Sequence, residues 1–169
     1  GPVVSLPADD DEVLVFQSNE DGTTVTGLDA LYWNILIVDD DLDIHKVTTL
    51  AFCDTLILGR RLAFSHAYTA QQAREKLQST NHLAVVLLDV VMEEADTGLR
   101  LVKEIRESMQ MSEVRIILRT GQPGYAPEIE TIRDLDINDY KTKSELNRTS
   151  LYASVTSAVR SFDQISRLN

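Results

Sequence analysis

Asp89 closes an apolar run, Leu83-Ala84-Val85-Val86-Leu87-Leu88, that reads as a buried strand. A carboxylate in that position lies at the mouth of an α/β sheet, where open sheets bind their ligands. A second run, Ile35-Leu36-Ile37-Val38, ends in three acids, Asp39, Asp40 and Asp41. A third, Val114-Arg115-Ile116-Ile117-Leu118-Arg119, leads into Thr120, and Ile137-Asn138-Asp139 leads to Tyr140 and Lys143. Acids, a hydroxyl and an ammonium gathered at strand ends suit a divalent cation and a phosphoryl group. Carboxylates brought within a few ångströms repel one another, which raises a pKa or demands a cation. A hard cation such as Mg²⁺ takes oxygen ligands, typically a carboxylate or two together with a phosphate. A carboxylate is also a nucleophile toward phosphorus and forms an aspartyl-phosphate. The hydroxyl and the lysine can then hold phosphoryl oxygens, because phosphoryl transfer is mostly positioning and charge stabilisation.

Those residues need a scaffold, and from Tyr32 onward strand and helix patterns alternate. After the strand at 35–38, Ile44, Val47, Leu50, Ala51 and Leu58 predict a helix over 42–58 that buries them, capped by Asp41 and ended by Gly59. A strand is predicted over 62–67, and a helix over 70–79 with Ala70, Ala73 and Leu77 inward. After the strand ending in Asp89 comes a helix over about 98–109, with Leu99, Val102, Ile105 and Met109 inward. The strand into Thr120, a short helix over about 126–134 and a strand over about 136–140 follow. A last helix over about 145–167 carries Leu151, Val155, Ala158, Phe162 and Ile165 on one face. Five strand–helix units predict an α/β fold: a doubly wound, five-stranded parallel sheet with helices on both faces. Residues 32–169 form this domain, and residues 1–31 are an N-terminal extension. There Val13–Phe16 and Thr23–Thr26 could pair as a hairpin across the turn-like Asn19-Glu20-Asp21-Gly22.

Bulk properties narrow the functions. A net charge of −11 argues against binding a nucleic-acid backbone or an anionic membrane surface. Cys53 is the single cysteine, so no intrachain disulfide can form, and a reducing cytoplasm is the natural setting. Placed among apolar helix residues, Cys53 is expected in the core. His45, His66 and His82 are scattered and are expected to pack or lie at the surface. No apolar run reaches transmembrane length, and no cleavable signal is expected. Gly1-Pro2 is similar to the remnant a protease leaves after tag removal, so the chain is expected to be a piece of something longer.

With these residues in place, the chain resembles the receiver domains of bacterial two-component response regulators over about residues 33–168. The family's acidic pair after strand 1 matches Asp39 and Asp40, and its phosphoacceptor at the end of strand 3 matches Asp89. The strand-4 switch hydroxyl matches Thr120, the strand-5 aromatic Tyr140, and the lysine three residues later Lys143. The resemblance implies a flavodoxin-like fold with strand order 2-1-3-4-5. It implies Mg²⁺ bound by Asp40, Asp89 and the Val91 backbone carbonyl, with Asp39 acting through water. It further implies that a sensor histidine kinase or phosphotransfer protein donates a phosphoryl group to Asp89. Lys143 and Thr120 would hold the phosphoryl oxygens while Tyr140 turns inward and alters an output face. Departures from the pattern are Ser144 in place of the proline after the lysine, Met92-Glu93 in place of Met-Pro, and one extra residue between Asp89 and Gly98. Lys141 competes with Lys143 by proximity; the three-residue step from Tyr140 favours Lys143.

The segments Arg119-Thr120-Gly121-Gln122-Pro123-Gly124 and Asp139-Tyr140-Lys141-Thr142-Lys143 resemble a subgroup whose output is often a cyclic di-GMP phosphodiesterase. The domain itself is then a phosphoacceptor rather than an enzyme, with an output domain in the same full-length protein. The alternative is a haloacid-dehalogenase-like phosphatase with Asp39 as nucleophile, followed by Asp41, Thr120 and Lys143. That family needs a further acidic pair after its lysine, and only Glu145 and Asp163 follow. Finally, the apolar stripe of the last helix is longer than a small sheet needs. Phe162 and Ile165 are therefore expected to pack against a second copy, giving a homodimer, or against a downstream domain.

Overall fold

The computed structural model describes residues 31–121, 127–144 and 147–168. The hairpin expected within residues 13–26 lies outside them. Five strands form one sheet: β1 (Tyr32–Val38), β2 (Arg61–Ala67), β3 (Leu83–Asp89), β4 (Arg115–Thr120) and β5 (Asp139–Thr142). The helices between and after them are α1 (Leu42–Ala51), α2 (Ala70–Ser79), α3 (Thr97–Lys103), α4 (Ile129–Asp134) and α5 (Arg148–Leu168). The strand order is β2-β1-β3-β4-β5, and β3 pairs in parallel with both β1 and β4. All seven residues of β3 are buried, as an apolar run covered on both faces requires.

Strand alternation divides the core in two. Leu36, Val38, Val86, Leu88, Ile116 and Leu118 meet α2 and α3 through Ala73, Leu77, Leu101, Val102 and Ile105. Ile35, Ile37, Val85, Leu87 and Ile117 face α5, which contributes Leu151, Val155, Val159 and Phe162. Phe162 is thus covered by the domain's own sheet face, and Ile165 is partly buried. The stripe needs no second copy to explain Phe162, because the helix is long enough to run down the whole sheet. Helix α3 continues from Glu104 to Ser108 as a π-helical turn.

The first helix departs from its expected form. It ends at Ala51, not near residue 58, and it buries His45 and Thr48 while Val47 and Leu50 are exposed. Beyond it the chain turns inward to bury Phe52 and Ile57 beside Trp33, whose Nε1–H donates to the Ile57 carbonyl at 2.6 Å. That burial outweighs further turns of helix. Gly59 therefore does not cap α1; Leu58 and Gly59, both at positive φ, make a type I′-like turn closed by the Ile57–Arg60 bridge. Cys53 falls just past the helix and is exposed, not in the core.

Candidate functional site

The C-terminal ends of β1 and β3 bring two carboxylates together. Asp39 is fully buried, and its Oδ1 accepts the Asp41 backbone N–H at 2.9 Å. Asp41 caps α1 by accepting from the Asp43 N–H at 2.9 Å, as expected of an acid in that position. Asp40 is exposed between them. Ligand oxygens of Asp39, Asp40 and Asp89 lie within 4.8 Å of one another. An open cavity of about 400 Å³ above them is lined by Asp40, Asp89, Val91, Gly121 and Lys143 among others.

Lys143 stands one residue past β5, held by its backbone N–H donating to the Thr120 carbonyl at 2.6 Å. From there its side chain crosses over Gly121 and reaches the acids. The ammonium is 3.0 Å from Asp39 Oδ2 and 3.3 Å from Asp89 Oδ2. Lys141 sits within β5, paired in register with Arg119. Burial lowers the Lys143 pKa, but the hydrogen bond and charge of Asp39, with Asp89 behind it, outweigh burial and the net shift is upward. Asp89 moves up to about 6, chiefly through burial and then through the charge of Asp39, against the pull of Lys143. Two carboxylates that share one lysine still repel, and their set of oxygens suits a hard divalent cation.

Thr120 is fully buried, and Tyr140 packs against the Leu118 side of the core. Tyr140 pairs with Leu118, so strand alternation places Thr120 and Tyr140 on one face, two positions apart. The structure thus brings Asp39, Asp40, Asp89 and Lys143 together, with Asp40, Asp89 and Lys143 lining the cavity, and sets Thr120 and Tyr140 on one face of the neighbouring strands.

Three supports of the site were not read from the sequence. A Cβ at Gly98 would fall 2.2 Å from the Asp89 carbonyl oxygen and 2.6 Å from Val90 Cα. Only glycine allows α3 to approach the strand end so closely, with the Gly98 N–H donating to the Val90 carbonyl at 2.8 Å. His45 is buried rather than superficial, and its Nε2–H donates to the Asp39 carbonyl at 2.8 Å. Its Nδ1 shares a hydrogen bond with His66 Nδ1, also at 2.8 Å. Burial first, then the charges of His45 and Lys76, hold the His66 pKa down. Glu93, which replaces the expected proline, accepts the Ala70 N–H at 3.2 Å and ties the loop after β3 to the start of α2.

The sequence profile of the response regulator receiver domain matches residues 35–156. The chain is 39% identical over 130 residues to the 3'3'-cGAMP-specific phosphodiesterase 2 of Vibrio cholerae serotype O1, a match covering 77% of the chain and 25% of that protein. The chain therefore spans about a quarter of the length of this curated relative. Two solved structures share the fold. The CheY-like receiver of Methanospirillum hungatei JF-1 has a TM-score of 0.63 at 19% identity, covering 79% of this chain and 98% of that one. The receiver of an HD domain-containing protein of Pseudomonas fluorescens Pf-5 has 0.64 at 20%, covering the same shares. Nothing in these relatives supports the phosphatase alternative, and Asp39, buried beneath Lys143, does not line the cavity as Asp89 does.

Proposed function

The chain belongs to the response regulator receiver family, and from that premise we propose that Asp89 accepts a phosphoryl group from a partner histidine kinase or phosphotransfer protein. The observation that carries the reading is a strand-end carboxylate, open to a cavity, with a lysine 3.3 Å away and two further acids beside it. A carboxylate oxygen of Asp89 attacks phosphorus as the bond to the donor imidazole nitrogen breaks; the donor ring, protonated on its other nitrogen, leaves with the electron pair as neutral imidazole. Asp40, Asp89 and the Val91 carbonyl would hold Mg²⁺, with Asp39 beside them. The metal supplies charge neutralisation at the phosphoryl oxygens. Lys143 leaves its contact with Asp89 for a phosphoryl oxygen, and Thr120 donates to another. Tyr140 then moves toward the space that Thr120 vacates, which shifts the population of an output face near α4, β5 and α5.

In the full-length protein this face would control an attached output domain. The relative at 39% identity is a phosphodiesterase of a cyclic dinucleotide, so the proposed output is cyclic-dinucleotide hydrolysis, whether of cyclic di-GMP or of a cGAMP. The proposed setting is the cytoplasm; no helix among the described residues is long and apolar enough to cross a membrane. Fluorine NMR with beryllofluoride tests the site. A bound signal that needs Mg²⁺ and disappears in Asp89→Ala is expected. The same signal retained in Asp89→Ala but lost in Asp39→Ala would move the nucleophile to β1.

A further inference from the structure

Strand β4 carries a buried cation to which the reading above gives no task. Arg119 immediately precedes Thr120 and is 3% exposed. Backbone register sets it beside Asp89. Alternation from Ile117 places its side chain on the α5-facing side of the sheet, shared by the Val85–Leu87–Asp89 positions of β3. Its Nη1–H donates to Thr48 Oγ1 on α1 at 3.0 Å, which explains why α1 buries a threonine there. Among the described residues, neither Nε nor Nη2 has a hydrogen-bond partner. A buried guanidinium with donors unused is costly unless a nearby opposite charge compensates it. The charges that act on Arg119 are those of Asp39 and Asp89, which oppose the downward push of burial on its pKa.

We propose that Arg119 is a fixed internal counter-ion of the phosphorylation site, placed to offset the charge that phosphoryl transfer adds. The proposal rests on the reading of Asp89 as phosphoacceptor. Asp39, Asp40 and Asp89 carry three negative charges against the two positive charges of Lys143 and Arg119. An acyl phosphate on Asp89 replaces one negative charge by about two. With a divalent cation present the cluster then reaches neutrality, and without Arg119 it keeps one net negative charge. A cation built into the sheet repels a metal before the phosphoryl group arrives and favours the phosphoryl group afterwards. Arg119 thus acts on the two ligands with opposite signs, which a packing role cannot do.

Calorimetric titrations at low salt, on the whole chain, separate the two roles. One titrates Mg²⁺ alone, and the other titrates beryllofluoride at saturating Mg²⁺. Arg119→Met is expected to bind Mg²⁺ about tenfold tighter and beryllofluoride about tenfold weaker, the scale of one unit charge at intermediate dielectric. Arg119→Lys, which keeps the charge, restores both affinities to within about twofold on that scale. Thr48→Val breaks the hydrogen bond, leaves the charge and moves neither. Should Arg119→Met fail to fold, Arg119→Gln removes the charge while keeping a donor for Thr48 and reads the same pair of affinities. Both affinities shifting in one direction, or neither shifting, overturns the proposal while leaving Asp89 as phosphoacceptor. A wild type that binds neither Mg²⁺ nor beryllofluoride overturns the phosphoacceptor reading and this proposal with it.

Discussion

Arg115 and Arg119 lie on one strand and are equally buried, at 3% exposed each, yet they are held differently. Arg115, at the start of β4, donates from Nε to the Glu113 carbonyl and from Nη2 to the Ser112 carbonyl, and pairs with Asp136 at 3.0 Å. Nearby Arg106 donates to the carbonyls of Leu135, Met111 and Asp136. Burial first, and then the charge of Arg115, push the Arg106 pKa down to about 10. At the other end of the strand Arg119 has a single hydroxyl. The first end of the sheet uses its cations to fasten loops through their carbonyls. The second leaves Nε and Nη2 of Arg119 without hydrogen-bond partners among the described residues. A saturated buried charge fixes shape, whereas an under-saturated one is available to a ligand.

The comparison breaks most sharply at the cation that reaches the cavity. Lys143→Ala should slow phosphoryl uptake from acetyl phosphate by roughly a hundredfold or more, the scale of losing one donor to developing negative charge. Its unfolding midpoint should fall as well, because the ammonium offsets the buried charges of Asp39 and Asp89. At the opposite end the effect is confined to stability. Arg115→Met leaves three acceptors without a donor, and urea unfolding should show a loss of about 2–4 kcal/mol with Mg²⁺ affinity unchanged. A change in metal affinity there would erase the distinction between the two ends. Gly98→Ala lies between these cases. The added Cβ collides with backbone, so about 1–3 kcal/mol of stability is expected to be lost together with weaker Mg²⁺ binding through the displaced loop.

The pH dependence sharpens the same contrast. The Asp89 pKa is raised on folding to about 6, so the metal-free fold binds this proton more tightly than the unfolded chain does. The stability from that proton is fully present below the ordinary carboxyl range and is lost as pH rises through about 6. Asp89→Asn should therefore stabilise the metal-free protein at pH above that value and lose this advantage in acid, as urea midpoints at both ends of the window would show. Mg²⁺ affinity should rise through the same window as the carboxylate ionises. The smallest effect belongs to Lys141→Ala, whose residue sits inside β5. Its phosphoryl uptake should stay within about twofold of wild type, on the scale where a one-donor loss is far larger.

The site was legible because each chemical residue ends an apolar run, and a strand long enough to be buried places its last residue at the sheet's rim. Asp39, Asp89 and Thr120 could be located that way, whereas Lys143 was separable from Lys141 only by its three-residue step after Tyr140. Helix α1 could not, since its buried face carries His45 and Thr48 while its exposed face carries Val47 and Leu50. Hydropathy reads such a helix inside out. The polar pair is drawn inward by specific partners, the Asp39 carbonyl and the Arg119 guanidinium, and neither partner is a neighbour in sequence. Arg119 itself hid at the end of a strand pattern, where an arginine reads as surface. Gly98 was visible only as a residue count, because the clash it avoids is with backbone brought close by the fold. Phe162 was assigned to a partner because pattern alone does not tell how far a sheet extends beneath a helix.

The most direct test of the account is intact-mass spectrometry after incubation with acetyl phosphate and Mg²⁺, followed by peptide mapping. One added phosphoryl group is predicted, on the peptide that contains Asp89, absent in Asp89→Ala and absent when the metal is chelated. A phosphoryl group that persists in Asp89→Ala, or that maps to the Asp39–Asp41 peptide in the wild type, would contradict it.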